Sequence, residues 1–303
     1  MGWFFFALIP PFLWASTNFV DQYIYRKYFI DRPFSHISFS MLAYGLILLL
    51  ILPFSPSVLD ITPKEMMTLT FIGVIFFTGL APYIKALQEE DASNALPLFQ
   101  VIPFFTVILG WLILGETIDT SDFLAGILII TGGIGMLINF NKGLFSKKVF
   151  FLMLLSSLIV ALHMVLIRAA AIEDLSWLTV TYWVLFGRMF SGIFLVSASS
   201  RIRRDVLGTI RSSRGRALAL DFLQNIGGFL ATSFLVIAMS KAPASTYVML
   251  VNGLQPLFLI LISLALGALL PHHFRAHYRD RYLLFRFGFL IIIISGLAIL
   301  LLL

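Results

Sequence analysis

Ten polar side chains interrupt the long apolar stretches of this chain, and their types limit the chemistry it can perform. Asn18, Lys85, Gln100, His163, Arg188, Asp221, Gln224, Asn225, Asn252 and Gln255 lie within or at the edge of segments made mostly of Leu, Ile, Val and Phe. An ionisable group at bilayer depth costs several kcal/mol, so each marks a binding or conduction role by default. Arg188 is the most central charge and calls for a carboxylate, carbonyls or an anionic ligand. Asp221 and Asn225 share a helix face by their i, i+4 spacing, and Asp221 is a natural partner for a basic residue. His163 reads either as a proton relay or as a hydrogen-bonded histidine between helices. Lys85 either snorkels to the headgroups or meets a substrate. Ser16, Thr17 and Asn18 are helix–helix glue or cavity lining, and Asp21 lies at the water interface or on a pathway. Proton coupling, if present, runs through Asp21, His163 or Asp221.

Other chemistries lack their residues. Cysteine is absent, so thiolate metal sites, disulfides and cysteine nucleophiles are excluded. The only histidine cluster, His272, His273 and His277, alternates with arginine and reads as a basic loop against anionic lipid rather than a metal site. No H-E-x-x-H motif and no paired acids for hydrolysis occur, so the chain is not expected to be an enzyme or to need a cofactor.

The elements that must position these residues are helices in lipid. Hydrophobic residues make up 60% and charged residues 12%, against about 45–50% and 25% in soluble domains. Mean hydropathy is +0.99, which excludes a soluble globular fold. The net charge of +6 comes from short loops between apolar runs, so it reports membrane orientation and not nucleic-acid binding. The N-terminus has no basic region before its apolar run and no small-residue cleavage site. It reads as a first transmembrane helix, not a cleaved signal.

Ten spans follow, roughly 3–22, 35–54, 66–88, 95–114, 121–139, 148–168, 177–199, 217–239, 245–268 and 283–303, each near the ~20 residues one crossing needs. Short links make the fourth and fifth spans, and the eighth and ninth, expected antiparallel neighbours. The segment from Ala92 to Glu116 returns from Ala244 to Ala268, with Ala92-Ser93 on Ala244-Ser245 and Gly115 on Gly267. Pro103 beside Gln100 and Pro256 beside Gln255 suggest opened backbone lining a cavity. Such doubling, with an odd number of spans per half, makes the two halves inverted. Sixteen Lys and Arg fall in loops of one face, against Lys64, Arg168 and Lys241 on the other. The positive-inside rule then puts both termini outside the cytoplasm, in a plasma (inner) membrane.

The segments resemble a known family. Trp14-Ala15-Ser16-Thr17-Asn18-Phe19-Val20 resembles the W-G-S-N-F-V opening of EamA-type members of the drug/metabolite transporter superfamily. Ala92-Ser93 through Pro103, then Leu114-Gly115-Glu116, Gly126 and Thr131-Gly132-Gly133, resemble that domain's fourth and fifth helices, and Arg188 matches the arginine of the second helix in each repeat. The chain departs from the pattern at Tyr44, where the first repeat usually has arginine, at Ala268, where a glutamate is usual, and in its long basic loop 269–282. The resemblance implies an all-α integral membrane fold of ten transmembrane helices as two inverted five-helix repeats, 1–140 and 146–303. It also implies a central cavity lined by helices 1, 3, 4, 6, 8 and 9.

The expected function is secondary transport, as an exporter of a small polar or amphipathic metabolite by alternating access. The ten polar residues named at the outset are the candidate lining. Their excess of base over acid favours an anionic or zwitterionic substrate. Partners are the substrate, the bilayer and protons or another coupling ion, with the protein a monomer or homodimer. Alternatives are a flippase for lipids or lipid-linked sugars, and a non-transporting membrane scaffold.

Overall fold

The structure is a computed structural model that describes residues 2–89, 96–117, 119–137, 146–269 and 283–302 of the 303. Ala92-Ser93, Lys142, the histidine cluster with its neighbouring arginines and most of loop 269–282 lie outside the described residues, as does the junction between the two expected repeats.

All regular structure among the described residues is helical. The helices are α1 (Gly2–Tyr28), α2 (Pro33–Ile51), α3 (Pro63–Glu89), α4 (Ile102–Leu114), α5 (Thr120–Leu137), α6 (Lys147–Ala171), α7 (Trp177–Ala198), α8 (Ser200–Ser212), α9 (Arg216–Lys241), α10 (Ser245–Asn252), α11 (Gln255–Leu269) and α12 (Leu283–Leu302). Among the described residues, seven stretches are long and apolar enough to cross a membrane: α1, α2, α3, α6, α7, α9 and Ser245–Leu266. Leu98–Leu114, Thr120–Gly135 and Gly288–Ile299 are shorter apolar helices.

Local chemistry sets the helix ends. Thr62 and Glu65 form a capping box at α3: Glu65 Oε2 accepts from Thr62 N at 2.7 Å and Thr62 Oγ1 from Glu65 N at 3.3 Å. Ser146, Ser176 and Ser199 cap α6, α7 and α8 by accepting from the amide three residues on. Gly115, at φ 66°, closes α4 in the left-handed region.

Two spans differ from plain helices at their prolines. The fourth begins as a short 3₁₀ helix, Leu96–Val101, and Pro103 lies in the first turn of α4, where a missing N–H costs nothing. The ninth breaks into α10 and α11 at Gly253-Leu254, because Pro256 has no N–H for the Asn252 carbonyl. The arginine-rich loop after the seventh span is itself an amphipathic helix, α8, which periodicity would have shown. Chain neighbours also turn out to be minor packing partners. The most extensive contacts join α1 to α9, α5 to α12, α3 to α6, α3 to α7 and α2 to α7, because apolar faces and not short links choose partners.

One crossing matters for the site. A Cβ on Gly73 would lie 2.1 Å from the Val184 carbonyl, and one on Gly187 2.0 Å from that of Thr70. α3 and α7 therefore touch backbone to backbone, as small residues allow in membranes. That contact brings Arg188 onto the face of α3.

Candidate functional site

A cavity of about 340 Å³ lies among the helices. Its walls come from both halves of the sequence. Trp14 and Asn18 enter from α1, Phe76, Leu80 and Tyr83 from α3, and Phe99, Gln100, Ile102 and Pro103 from the fourth span. Val160 and Met164 of α6, Arg188 of α7, and Met249, Asn252, Gln255, Pro256 and Leu259 around the α10–α11 break complete it. Tyr83 and Phe99 pack ring on ring, with centroids 4.8 Å apart.

Arg188 is the charge in this wall. It is 5% exposed, and its guanidinium carbon stands 4.0 Å from the centre of the Phe76 ring. Nη2 lies 3.3 Å from His163 Nε2, while His163 Nδ1 lies 2.8 Å from the Ile72 carbonyl and so donates to it. That bond leaves Nε2 as the acceptor for Arg188. Arg188 takes part in none of the ion pairs among the described residues, and its Nε has no hydrogen-bond partner there. Asn252 Oδ1 is likewise without a partner. An orphan donor and an orphan acceptor thus line one cavity, and such buried polar groups are costly unless something binds them.

Glycine positions a third polar group. A Cβ on Gly133 of α5 would lie 2.6 Å from Gln100 Oε1, so the bare backbone of Gly133 is what admits this side chain.

Of the ten candidate residues, Asn18, Gln100, Arg188, Asn252 and Gln255 line the cavity. The other five are elsewhere. Lys85 is exposed, because the α3 face it occupies turns outward one turn beyond Pro82. His163 is fully buried behind Arg188, the interhelical histidine of the plainer reading. Asp221, Gln224 and Asn225 belong to a second polar cluster among α1, α2 and α9. There Asn225 Nδ2 donates to Asp221 Oδ2 and to the Ser40 carbonyl, both at 3.0 Å. Gln224 Nε2 donates to Asp21 Oδ1 at 2.8 Å, and His36 Nε2 lies 3.4 Å from the same oxygen. The basic partner expected for Asp221 is absent among the described residues. The eighth span, expected in the wall, contributes nothing to it, and the seventh enters through Arg188 instead.

The sequence reading missed a third constellation, at one end of the bundle. Glu116, just past the C-terminus of α4, accepts from Arg168 Nε at 3.2 Å, from Ser245 N at 2.9 Å and from Ser245 Oγ at 2.5 Å. Arg168 also donates to the carbonyls of Met239 and Pro243. Both charged side chains are nearly buried, at 11% and 9% exposure. In the sequence Arg168 reads as a loop charge, since its linear position at the end of α6 gives no sign of its partner. Next to this cluster Tyr247 donates to Asp122 Oδ2 at 2.5 Å. The loops joined here, after the fourth, sixth and eighth spans, are ones that the charge count assigns to a single face.

Apolar helices around an internal, polar-edged cavity define an integral membrane protein of the helical-bundle class. Residues 1–138 match the model of the EamA-like transporter family. A curated protein of Clostridium kluyveri, described as an uncharacterized transporter, is 29% identical over 141 residues. That alignment covers 45% of this chain and 43% of the relative, so the chain matches less than half of the relative's length. A solved crystal structure superposes with a TM-score of 0.68 at 14% identity, covering 99% of this chain and 95% of the other. This last likeness is one of fold.

Proposed function

We propose that the chain is a secondary transporter that exports a small polar or amphipathic metabolite, anionic or zwitterionic, by alternating access. The observation that carries this reading is the cavity with Arg188 in its wall, buried and without a counter-ion among the described residues. A carboxylate or phosphate on the substrate would supply the missing charge, the aromatic groups of Trp14, Phe76, Tyr83 and Phe99 would take its apolar part, and Asn252 would accept from a donor on it.

The alternation rests on ten crossings arranged as two inverted five-helix repeats, 1–140 and 146–303. Exchanging each span with the one five places on turns the α1–α9 interface into α6–α3, and maps α2–α7 and α5–α12 onto themselves. Those are four of the five most extensive interfaces observed, which supports the exchange; the fifth, α3–α7, maps onto the smaller α9–α2 contact. In this reading the Glu116–Arg168–Ser245 cluster closes one face, and one repeat rocks against the other to break it. Both termini then face away from the cytoplasm in the plasma membrane, and Asp221, with one carboxylate oxygen unpartnered, is the candidate for proton coupling. The cavity and its orphan groups weigh against a scaffold, whose polar side chains would pair off among themselves.

The test is flux into right-side-out and inverted proteoliposomes across amino acids, nucleotides and sugar phosphates. Saturable flux of an acid or zwitterion, lost in Arg188→Ala, is expected. Flux equal to that of empty vesicles for every compound, or full activity in Arg188→Ala, defeats the reading.

A further inference from the structure

Away from the central cavity, the end of the bundle formed by α1, α2 and α8 carries a second cavity of about 300 Å³. Its walls include Lys27, Arg32, Arg204, Asp205, Gly208 and Ser212. The charges do not cancel. Asp205 is committed to Arg32 Nη1 at 3.3 Å and to Ser35 Oγ at 2.8 Å. Arg32 places its other Nη on the Tyr28 carbonyl at 2.9 Å. Lys27 is held only by neutral groups: it donates to Tyr23 Oη at 2.6 Å and lies 5.0 Å and 5.5 Å from the Tyr23 and Tyr28 ring centres. Arg204 has neither an ion pair nor a hydrogen bond among the described residues. Two surplus cations thus remain in one polar pocket.

Gly208 supplies an independent observation. It sits inside α8, where glycine costs about 1 kcal/mol relative to alanine. A Cβ there would meet nothing within 4 Å, so packing does not require glycine. Its effect is to leave that wall of the pocket bare.

The setting indicates where the ligand comes from. α8 is amphipathic: Ile202, Val206 and Ile210 pack with Ile24, Phe29 and Phe39, while Arg201, Arg203, Arg204 and Arg211 are exposed. Leu207, next in sequence to Gly208, is 45% exposed, and Ile30, two residues from both Tyr28 and Arg32, is 61% exposed. Cations and exposed apolar side chains at the end of a membrane bundle match the level where headgroups meet acyl chains.

We infer that this pocket binds a phosphate group, carried by the headgroup of an anionic phospholipid. Lys27 and Arg204 neutralise the phosphate, the Ser212 hydroxyl turns to it from the Thr209 carbonyl, to which it donates at 3.3 Å, and Ile30 and Leu207 meet the acyl chains. The site is separate from the transport cavity and stands whether or not the chain transports anything.

The test uses the full chain, delipidated in detergent, titrated with phosphatidylglycerol, phosphatidylcholine or inorganic phosphate while the thermal midpoint is read. Phosphatidylglycerol should raise the midpoint and phosphatidylcholine should not. Lys27→Gln and Arg204→Gln should each weaken the response about five-fold, the ~1 kcal/mol that one basic residue contributes at an anionic surface. Gly208→Leu, which fills the pocket and removes no charge, should abolish it without lowering the lipid-free midpoint. A response to inorganic phosphate equal to that of phosphatidylglycerol, and lost in the same variants, supports the phosphate site and assigns it a soluble ligand. Equal responses of wild type and all three variants overturn the site, as does equal stabilisation by phosphatidylcholine.

Discussion

Arg188 lies over the face of Phe76, guanidinium carbon 4.0 Å from the ring centre, although the two residues are far apart in sequence and on different helices. A buried guanidinium keeps its charge, and a ring face is a weak substitute for a carboxylate. The contact holds the side chain at the cavity wall while leaving its charge available. Arg188→Lys keeps the charge but loses the planar stack. Transport efficiency should fall roughly 30-fold, the ~2 kcal/mol of a desolvated cation–π contact. Initial-rate flux in proteoliposomes reads this; an unchanged rate would mean that the stack does not position the charge.

The Glu116–Arg168 pair should behave as a buried ion pair. Removing one partner, as in Glu116→Ala, strands a buried guanidinium and the Ser245 amide, and should cost about 3–5 kcal/mol. The double variant Glu116→Ala/Arg168→Met should cost less than the sum of Glu116→Ala and Arg168→Met. Unfolding midpoints of the four proteins form the cycle, and strict additivity would show that the two side chains are not coupled.

The α3–α7 crossing leaves no room for a methyl group. Gly187→Ala should destabilise by about 1–3 kcal/mol through overpacking, and flux should fall because Arg188 moves with α7. Gly288→Ala is the control, since a Cβ there meets nothing within 4 Å. Equal thermal midpoints for the two variants would contradict the observed contact.

Asp221 is fully buried, with Asn225 Nδ2 on one oxygen and no partner on the other. Asp221→Asn keeps an acceptor for Asn225, so the fold should hold to within ~1 kcal/mol. If protons drive transport through this residue, flux in the variant should no longer respond to an imposed pH gradient. A wild-type response to the gradient in Asp221→Asn would remove Asp221 from the coupling path.

Much of this protein was legible in the chain itself. Long apolar runs can satisfy their backbone in lipid only as helices, so hydropathy gave the all-helical membrane class and the approximate ends of the spans. The prolines at 103 and 256 marked the two interrupted spans, because a missing N–H is a local property. Asn18, Gln100, Arg188, Asn252 and Gln255 were visible as polar groups in apolar surroundings, and all five reach the cavity wall. Tertiary structure alone decided which polar groups share a space. Lys85, Asp221 and Arg188 look alike in a hydropathy trace, yet one is exposed, one pairs with Asn225 and one faces the cavity, because the rotation of each helix is set by what it packs against. Arg168 and Glu116 are 52 residues apart in the chain. They meet because the ends of α4, α6 and α9 converge with the start of α10, a relation that no local pattern encodes.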